Sequence, residues 1–253
     1  ASNNTAVGFN SLNANTTGAD NVAIGMSALL SNTTASNNTA LGRNTLESNT
    51  TGAGNTALGR SALNVNNASN NTAVGLSALQ QNTSGDQNTA VGAFALDANT
   101  SGTRNHAFGV EALTACTTGD NNTALGHTSA ANLTTGSANV SVGYNSFTAA
   151  TTAARSVIIG VDAGDAITTA SDNTAVGYQA LGANTTGASH TAVGGGALSS
   201  TTTATNNTGI GYDALTDCTT GYENTAVGDA AGGSLTTGIQ NVFVGQRAGN
   251  YTT

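Results

Sequence analysis

Hydrophobic and polar positions recur along this chain with a fixed period. The pentapeptide Asn-Thr-Ala-Val-Gly, or a close variant, starts fifteen times, and thirteen of the fourteen intervals between starts are 17 residues; the exception, from Asn55 to Asn71, is 16. The shared unit is N-T-A-V-G-x-x-A-L-x-x-N-T-T-G-x-x, with positions numbered 1 to 17. A row denotes the residues at one position in successive units. Such a period is typical of a repeat architecture.

The length of the unit limits the fold. Seventeen residues are too few for two helices and a loop, whereas a Thr/Val-rich segment ending at Gly favours a short strand. One unit cannot bury its own apolar side chains, so successive units must stack. We therefore predict an all-β fold, a parallel β-solenoid of about 17 residues per coil and about 15 coils, rising by about 4.8 Å per coil. Residues 1–253 would form a single repeat solenoid without separate domains, a segment of a longer protein.

The strand positions are expected to alternate between the interior and the surface. Position 4 is apolar in every unit, so we predict that it faces inward together with position 2, and that position 3 faces outward. An outward strip of small residues is either an idle apolar surface or a contact with another chain, and its length favours the contact. The candidate chain–chain interface is Ala6, Ala23, Ala40, Ala57, Ala73 and Ala90.

Positions 9 and 12 exchange volume. Position 9 is usually Leu and position 12 usually Asn, but a change at one is matched at the other. The exchanged pairs are Ala130 with Leu133, Gly164 with Ile167, Gly232 with Leu235, and Phe147 with Ala150. A close-packed interior requires such conservation of volume, so both positions are predicted to face one core and to touch.

The usual Asn at position 12 is therefore predicted to form an internal amide ladder. A buried amide is unfavourable unless it is hydrogen-bonded, and stacked identical Asn side chains can pair with one another; an exposed turn Asn is the alternative. The candidate core ladder is Asn15, Asn32, Asn49, Asn66, Asn82, Asn99 and Asn184. The Gly at position 5 is expected to form a corner, and the Asn at position 1 to open the strand from an Asx-type turn.

Composition and charge exclude several function classes. Charged residues make up 7% of the chain, the net charge is −8, and all five basic residues are scattered Arg, which argues against nucleic-acid binding. No apolar stretch approaches the length of a membrane span, so we expect no membrane insertion. The acidic residues are scattered over turn positions, which favours no catalytic pair, and we predict that the protein is not an enzyme.

Histidine and cysteine suggest no metal or cofactor site. His106, His127 and His190 occupy three different positions of the unit, and no Cys or carboxylate completes a ligand set. His106 is expected to fill an interior slot. Cys116 and Cys218 both replace the position-12 Asn and are predicted to be small buried thiols, with an interchain crosslink as the alternative.

At this level of detail the repeat resembles known proteins. The runs NTAVGYQALGANTTG (173–187), NTALGRNTLESNTTG (38–52) and NVFVGQRAG (241–249) resemble the repeats of phage-type tail-fibre proteins, which often end in an endosialidase-type chaperone domain. They are similar, more distantly, to the β-roll heads of trimeric autotransporter adhesins, whose motif is closer to N-S-V-A-I-G and whose unit is shorter.

The resemblance covers essentially the whole chain and implies an extracellular structural segment, in a cell-surface, secreted or virion fibre. It implies that the chain associates with itself as a homotrimer. Uncapped solenoid ends would offer sheet edges to other chains, so end-to-end filaments are a further expected form. A cell-surface or glycan receptor is a further candidate partner. Phe9, Tyr144, Tyr178 and Tyr212 share position 6 and could form an outward aromatic edge that contacts such a receptor, ordinary surface packing being the alternative.

Ice binding is a second hypothesis, because Thr-Thr recurs at positions 13 and 14. Regular Thr rows on a flat solenoid face could order water, although alternation should turn one of the two inward. The candidate surface row at position 13 is Thr16, Thr33, Thr50, Thr117, Thr134, Thr151, Thr168 and Thr185.

Overall fold

The computed structural model describes residues 1–250, none of which is helical. Every coil contributes one three-residue strand, formed by positions 2 to 4 of the unit. The strands are β1 (Thr5–Val7), β2 (Val22–Ile24), β3 (Thr39–Leu41), β4 (Thr56–Leu58), β5 (Thr72–Val74), β6 (Thr89–Val91), β7 (His106–Phe108), β8 (Thr123–Leu125), β9 (Val140–Val142), β10 (Val157–Ile159), β11 (Thr174–Val176), β12 (Thr191–Val193), β13 (Thr208–Ile210), β14 (Thr225–Val227) and β15 (Val242–Val244).

The chain forms two compact units, Ala1–Ala124 and a second that begins at Leu125, with the division inside β8. In the first unit β1 to β7 pair in parallel and in sequence order. In the second unit β9 to β15 pair in the same way. Each strand residue lies opposite the residue at the same repeat position of the next coil. The predicted all-β parallel solenoid, with one strand per coil of about 17 residues, is confirmed.

The turns between strands also bond from coil to coil. In the first unit the amide of Leu29 donates to the carbonyl of Thr45, and the amide of Ser31 to that of Glu47, both at 3.0 Å. Positions 7, 9 and 17 take the left-handed conformation: φ is 58° at Asn10, 51° at Leu12 and 56° at Asp20. The chain therefore bends inward three times per coil with non-Gly residues, a conformation that costs about 1 kcal/mol or more per residue. The stacked hydrogen bonds and the core must offset that cost.

The Gly at position 5 makes the corner that follows each strand, as the sequence predicts. Its φ lies between +119° and +143° in all fifteen coils, a region open only to glycine. A Cβ at Gly8 would lie 2.7 Å from the carbonyl oxygen of Gly25 in the next coil. Both reasons for glycine, the backbone conformation and the close approach of a neighbour, therefore apply here.

The predicted orientation of the strand is wrong. Ala23, Ala40, Ala57, Ala73 and Ala90 are completely buried, and among the six candidate interface residues only Ala6, in the first coil, is exposed. Positions 2 and 4 do share one side, but that side is the surface.

The reason for the reversed orientation is a narrow interior. In the second unit a Cβ at Gly209, a position-3 residue, would lie 3.3 Å from Cγ of Leu198, a position-9 residue. Because position 3 packs directly on the position-9 side chain, it accepts little more than Ala in coils where position 9 is large.

Candidate functional site

The outward side of the strands is the most unusual surface of the molecule. We define the outer strand face as positions 2 and 4 of successive coils. In the first unit its position-4 row is Val7, Ile24, Leu41, Leu58, Val74, Val91 and Phe108. Leu41 and Leu58 are each 42% exposed, although the sequence predicts that position 4 is buried. Position 2 is Thr in the first unit except at Val22 and His106, so no carboxylate or Arg lies on this face.

The second unit carries the same face. Its position-4 row is Leu125, Val142, Ile159, Val176, Val193, Ile210, Val227 and Val244. Leu125 is 50% exposed, and Val227 is 38% exposed. The row is apolar without exception, although none of these side chains is buried. Rows of this length exceed the apolar patches that monomers usually expose.

Behind this face lies the amide ladder that the sequence predicts. In the first unit Asn32 Nδ2 donates to Asn15 Oδ1 at 3.0 Å, and Asn82 Nδ2 donates to Asn66 Oδ1 at 2.7 Å. Each Nδ2 also donates to the carbonyl at position 15 of its own coil, as from Asn82 to Gly85. All these side chains are completely buried except Asn15, which is half-buried. The prediction of an internal ladder is confirmed for Asn15, Asn32, Asn49, Asn66, Asn82 and Asn99.

Asn184, the seventh candidate, is buried but belongs to no ladder. It lies in the second unit, where its Oδ1 accepts from the amide of Gly187 at 2.9 Å and its Nδ2 donates to the Gly187 carbonyl at 2.8 Å. The amide thus pairs entirely with its own turn.

The structure reveals a second polar row that sequence reasoning missed. The Asn at position 1 is buried in both units, except that Asn4 and Asn241 in the first and last coils are half-buried. Its Oδ1 accepts from the backbone amide of the next position-1 residue, as from Asn38 to Asn21 at 3.0 Å. Its Nδ2 reaches a position-15 carbonyl, as from Asn38 to Gly52 at 2.9 Å. The near-invariance of Asn at position 1 was the available signal, since an exposed turn would tolerate Asp, Ser or Gly.

The predicted contact between positions 9 and 12 is confirmed at Gly164 and Ile167, and it involves position 3 as well. A Cβ at Gly164 would lie 2.9 Å from Ile167 Cδ1 and 3.2 Å from Ile158 Cγ2. A Cβ at Gly249 would contact the ring of Phe243. Both coils thus combine a large position-3 residue with Gly at position 9. That correlation is visible in the sequence and would have identified position 3 as interior.

The histidines and cysteines divide between surface and core. His106 is exposed on the outer strand face, so the interior slot predicted for it is wrong. His190 replaces Asn in the position-1 row and is buried: its Nε2 lies 2.8 Å from the Ala204 carbonyl, and its Nδ1 lies 3.2 Å from the amide of Asn207. These bonds require a proton on Nε2 only, and burial lowers the pKa of His190. Cys116 and Cys218 are free and buried as predicted, and burial raises the pKa of Cys116 to about 11.

The threonine rows differ from the prediction. Of the position-13 candidates only Thr16 is exposed, and Thr33, Thr50, Thr117, Thr134, Thr151, Thr168 and Thr185 are half-buried. Most of their hydroxyls donate to backbone carbonyls, as from Thr134 Oγ1 to Thr151 at 2.9 Å, whereas Thr50 Oγ1 donates to Asn67 Oδ1 at 2.7 Å. Position 14 is the exposed row, because every Thr or Ser there lies on the surface. The row at position 14, and not the candidate row at position 13, is therefore the one exposed to solvent.

Pairing between charged groups is rare among residues 1–250. The one ion pair found there, Arg155 with Asp172 at 2.7 Å, is exposed. Within the same residues no three His, Cys, Asp or Glu side chains lie close enough to hold a metal ion. A shallow depression in the second unit is lined by Asp165, Gln179, Gly182, Ala183 and Ser199, and partial burial raises the pKa of Asp165. No helix in the described part of the chain could cross a membrane.

No protein-family model matches the chain, and neither does any curated protein.

Proposed function

We propose that the chain is a structural segment of an extracellular fibre or adhesin, a stiff β-solenoid that associates with copies of itself and presents a binding surface. The observation that carries this proposal is the position-4 row, which is apolar in all fifteen coils and yet lies on the surface. The resemblance of the repeat to tail-fibre and adhesin repeats supports it as well.

The interior does not need the position-4 side chains. Positions 3, 8 and 9 fill the core of the middle coils with buried side chains, as Ala57, Ala62 and Leu63 do in one coil of the first unit. A sheet face in contact with water usually alternates to polar residues. An aliphatic residue or Phe at every position-4 site therefore indicates a face that another apolar surface covers.

Another copy of the chain is the partner that fits this face best. A partner that contacts each coil in the same way must repeat with the same axial spacing, which a parallel copy provides. Closed cyclic assemblies are the usual form of homo-oligomers, and three copies arranged around one axis would bury the row on every chain. We therefore propose a homotrimer, with end-to-end filaments as a further form.

Sedimentation equilibrium and mass photometry test this proposal directly. The wild-type chain should sediment as a trimer, and replacing Leu58 and Val74 with Lys should give a folded monomer, because both side chains already face solvent in a single chain. Replacing Thr34 and Thr51 at position 14 with Lys is the matched control and should leave the trimer intact. A monomeric wild type at micromolar concentration would contradict the proposal.

Ice binding is a second candidate, favoured by the exposed hydroxyl row at position 14. Position-13 hydroxyls donate to backbone carbonyls of the next coil, as at Thr16, Thr134 and Thr185, and these bonds fix the backbone beside the position-14 row. Thermal hysteresis of the purified chain measures this activity. Its loss on replacing Thr152, Thr169 and Thr186 with Lys would support the row as an ice-binding face, and no hysteresis in the wild type would exclude it.

A further inference from the structure

Three tyrosines of the second unit form a regularly spaced row. Tyr144, Tyr178 and Tyr212 all occupy position 6, directly after the Gly corner, and each is separated from the next by 34 residues, or two coils. They are 56%, 58% and 64% exposed. At one strand spacing per coil their attachment points lie about 9.6 Å apart, and the row is about 19 Å long.

The preceding coil supports two of these rings from one side. The Tyr144 ring stacks on His127, with 5.7 Å between ring centroids and 20° between ring planes. The Tyr212 ring lies against Gly195, where an added Cβ would be 3.6 Å from Cδ2 and 3.7 Å from Cε2. Because one side of the Tyr144 ring and one side of the Tyr212 ring are supported, these two rings are restrained before any ligand arrives, which reduces the entropy cost of binding.

Polar groups accompany each ring. Position 7 next to the three tyrosines is Asn145, Gln179 and Asp213, and all three side chains are at least partly exposed. No Arg occupies position 6 or 7 from coil 8 to coil 14 of the repeat, whereas these positions include several carboxylates. The surface thus offers aromatic rings flanked by hydrogen-bonding groups and a slightly negative charge, which disfavours anionic ligands.

From this geometry we propose that Tyr144, Tyr178 and Tyr212 form a binding site for a neutral, extended β-1,4-linked polysaccharide. In such a chain each pyranose advances by about as much as one coil, and alternate sugars are turned over. The same C–H face therefore recurs at every second sugar, as the tyrosines recur at every second coil. The Gln179 amide and the Asp213 carboxylate at position 7 are suited to the hydroxyls at the sugar edges, whereas the Asn145 amide already bonds to Asp162 and Thr148.

This inference deepens the proposed function, since it gives the fibre segment a ligand, but it does not depend on the number of chains in the assembly. A monomeric chain could carry the row, and a trimer could lack binding. Sedimentation and glycan binding can therefore fail separately.

The experiment is isothermal titration calorimetry of the whole chain with β-1,4-linked N-acetylglucosamine and glucose oligomers of two, four and six sugars. Affinity should rise at each step of two sugars, because each step reaches one more ring. Replacing one row tyrosine with Ala should weaken hexamer binding by about fivefold or more, and replacing all three should abolish it. Tyr222→Ala removes an exposed tyrosine at position 16, off the row, and is the matched control.

Three outcomes would overturn the inference. One is no detectable binding of either β-linked hexamer at millimolar concentration. Another is equal binding of an α-1,4-linked glucose hexamer, whose coiled chain does not match the spacing. The last is a triple variant that binds the hexamer normally. If the wild type binds no glycan and the triple variant changes the oligomeric state, the row is a chain–chain contact. Circular dichroism of each variant checks that the fold is kept.

Discussion

The two units have the same coil conformation, but they differ in the residues that fill position 12 of the interior. In the first unit position 12 is Asn in six successive coils, from Asn15 to Asn99, and these amides bond to one another before the row reaches Cys116. In the second unit the same position is Leu133, Ala150, Ile167, Asn184, Thr201, Cys218 and Leu235. Only volume is conserved there. The Gly corners, the position-1 row and the buried alanines are common to both units and are enough to define the coil.

The comparison shows how an interior position can be specified in two ways. A polar row is stable when every member has a neighbour of the same kind, so each Asn in the first unit constrains the next coil. In the second unit Asn184 bonds only to Gly187 of its own coil, and Thr201 donates to the backbone carbonyl of Cys218, so neither side chain depends on another side chain of the row. We therefore expect the effects of mutation to spread along the row in the first unit and to remain within one coil in the second.

The largest expected effect comes from placing the consensus Leu of position 9 in a coil whose interior is already filled by other side chains. Gly164→Leu in the second unit inserts the usual position-9 side chain where Ile158 and Ile167 already fill the space. The backbone is not the obstacle, since φ is 52° at Gly164 and 51° at Leu12. We expect a loss of about 3 kcal/mol in the free energy of unfolding, measured by urea denaturation.

The control for this prediction restores the consensus core. Combining Gly164→Leu with Ile158→Ala and Ile167→Asn recreates the residues of a first-unit coil and should recover most of the lost stability. A triple variant that is less stable than the single variant would show that volume is not what fixes these positions.

Much of the fold could be predicted from the sequence, because fifteen copies reveal which positions vary together. The coil, the parallel strands, the Gly corner and the pairing of positions 9 and 12 all follow from that pattern. The facing of the strand did not, since an invariant apolar residue such as Val74 was taken as evidence of a core. The sequence pattern is the same for an apolar residue buried in the interior of its own chain and for one that, as we propose, another chain covers.

The next effect tests whether the first-unit row is coupled. Asn66→Leu leaves Asn49 Oδ1 without its donor and Asn82 Nδ2 without one of its acceptors, so it should cost about 2 kcal/mol. The double variant Asn66→Leu/Asn82→Leu should cost less than the sum of the two single variants, because the bond between these residues is lost only once. Strict additivity in urea denaturation would contradict an energetically coupled ladder.

A smaller effect is expected where the row ends. Asn99 Oδ1 is buried without a hydrogen-bond partner, and the next residue of the row is Cys116, whose Sγ donates to the Gly119 carbonyl. Cys116→Asn should supply the missing donor and raise the thermal midpoint, with a gain of about 1 kcal/mol. Cys218→Asn in the second unit is the control: the residue before it in the row is Thr201, whose hydroxyl is already paired, so no gain is expected. Equal gains from both variants would mean that the ladder is not the cause.

The smallest effect at neutral pH, and one that grows with acidity, concerns the position-1 row. That row is Asn throughout the first unit but includes His190 in the second. Burial lowers the pKa of His190, so below about pH 6.5 the unfolded chain binds a proton that the folded chain resists. Its contribution to stability is therefore complete above that pH and is lost as the pH falls toward the lowered pKa. A protonated Nδ1 would also point a hydrogen at the amide of Asn207.

Thermal melts from pH 7.5 to pH 4.5 should show His190→Asn matching the wild type at neutral pH and exceeding it under acid. His127→Asn, at an exposed site, should behave like the wild type throughout; if His190→Asn lost stability in parallel with the wild type, the acid sensitivity would lie elsewhere.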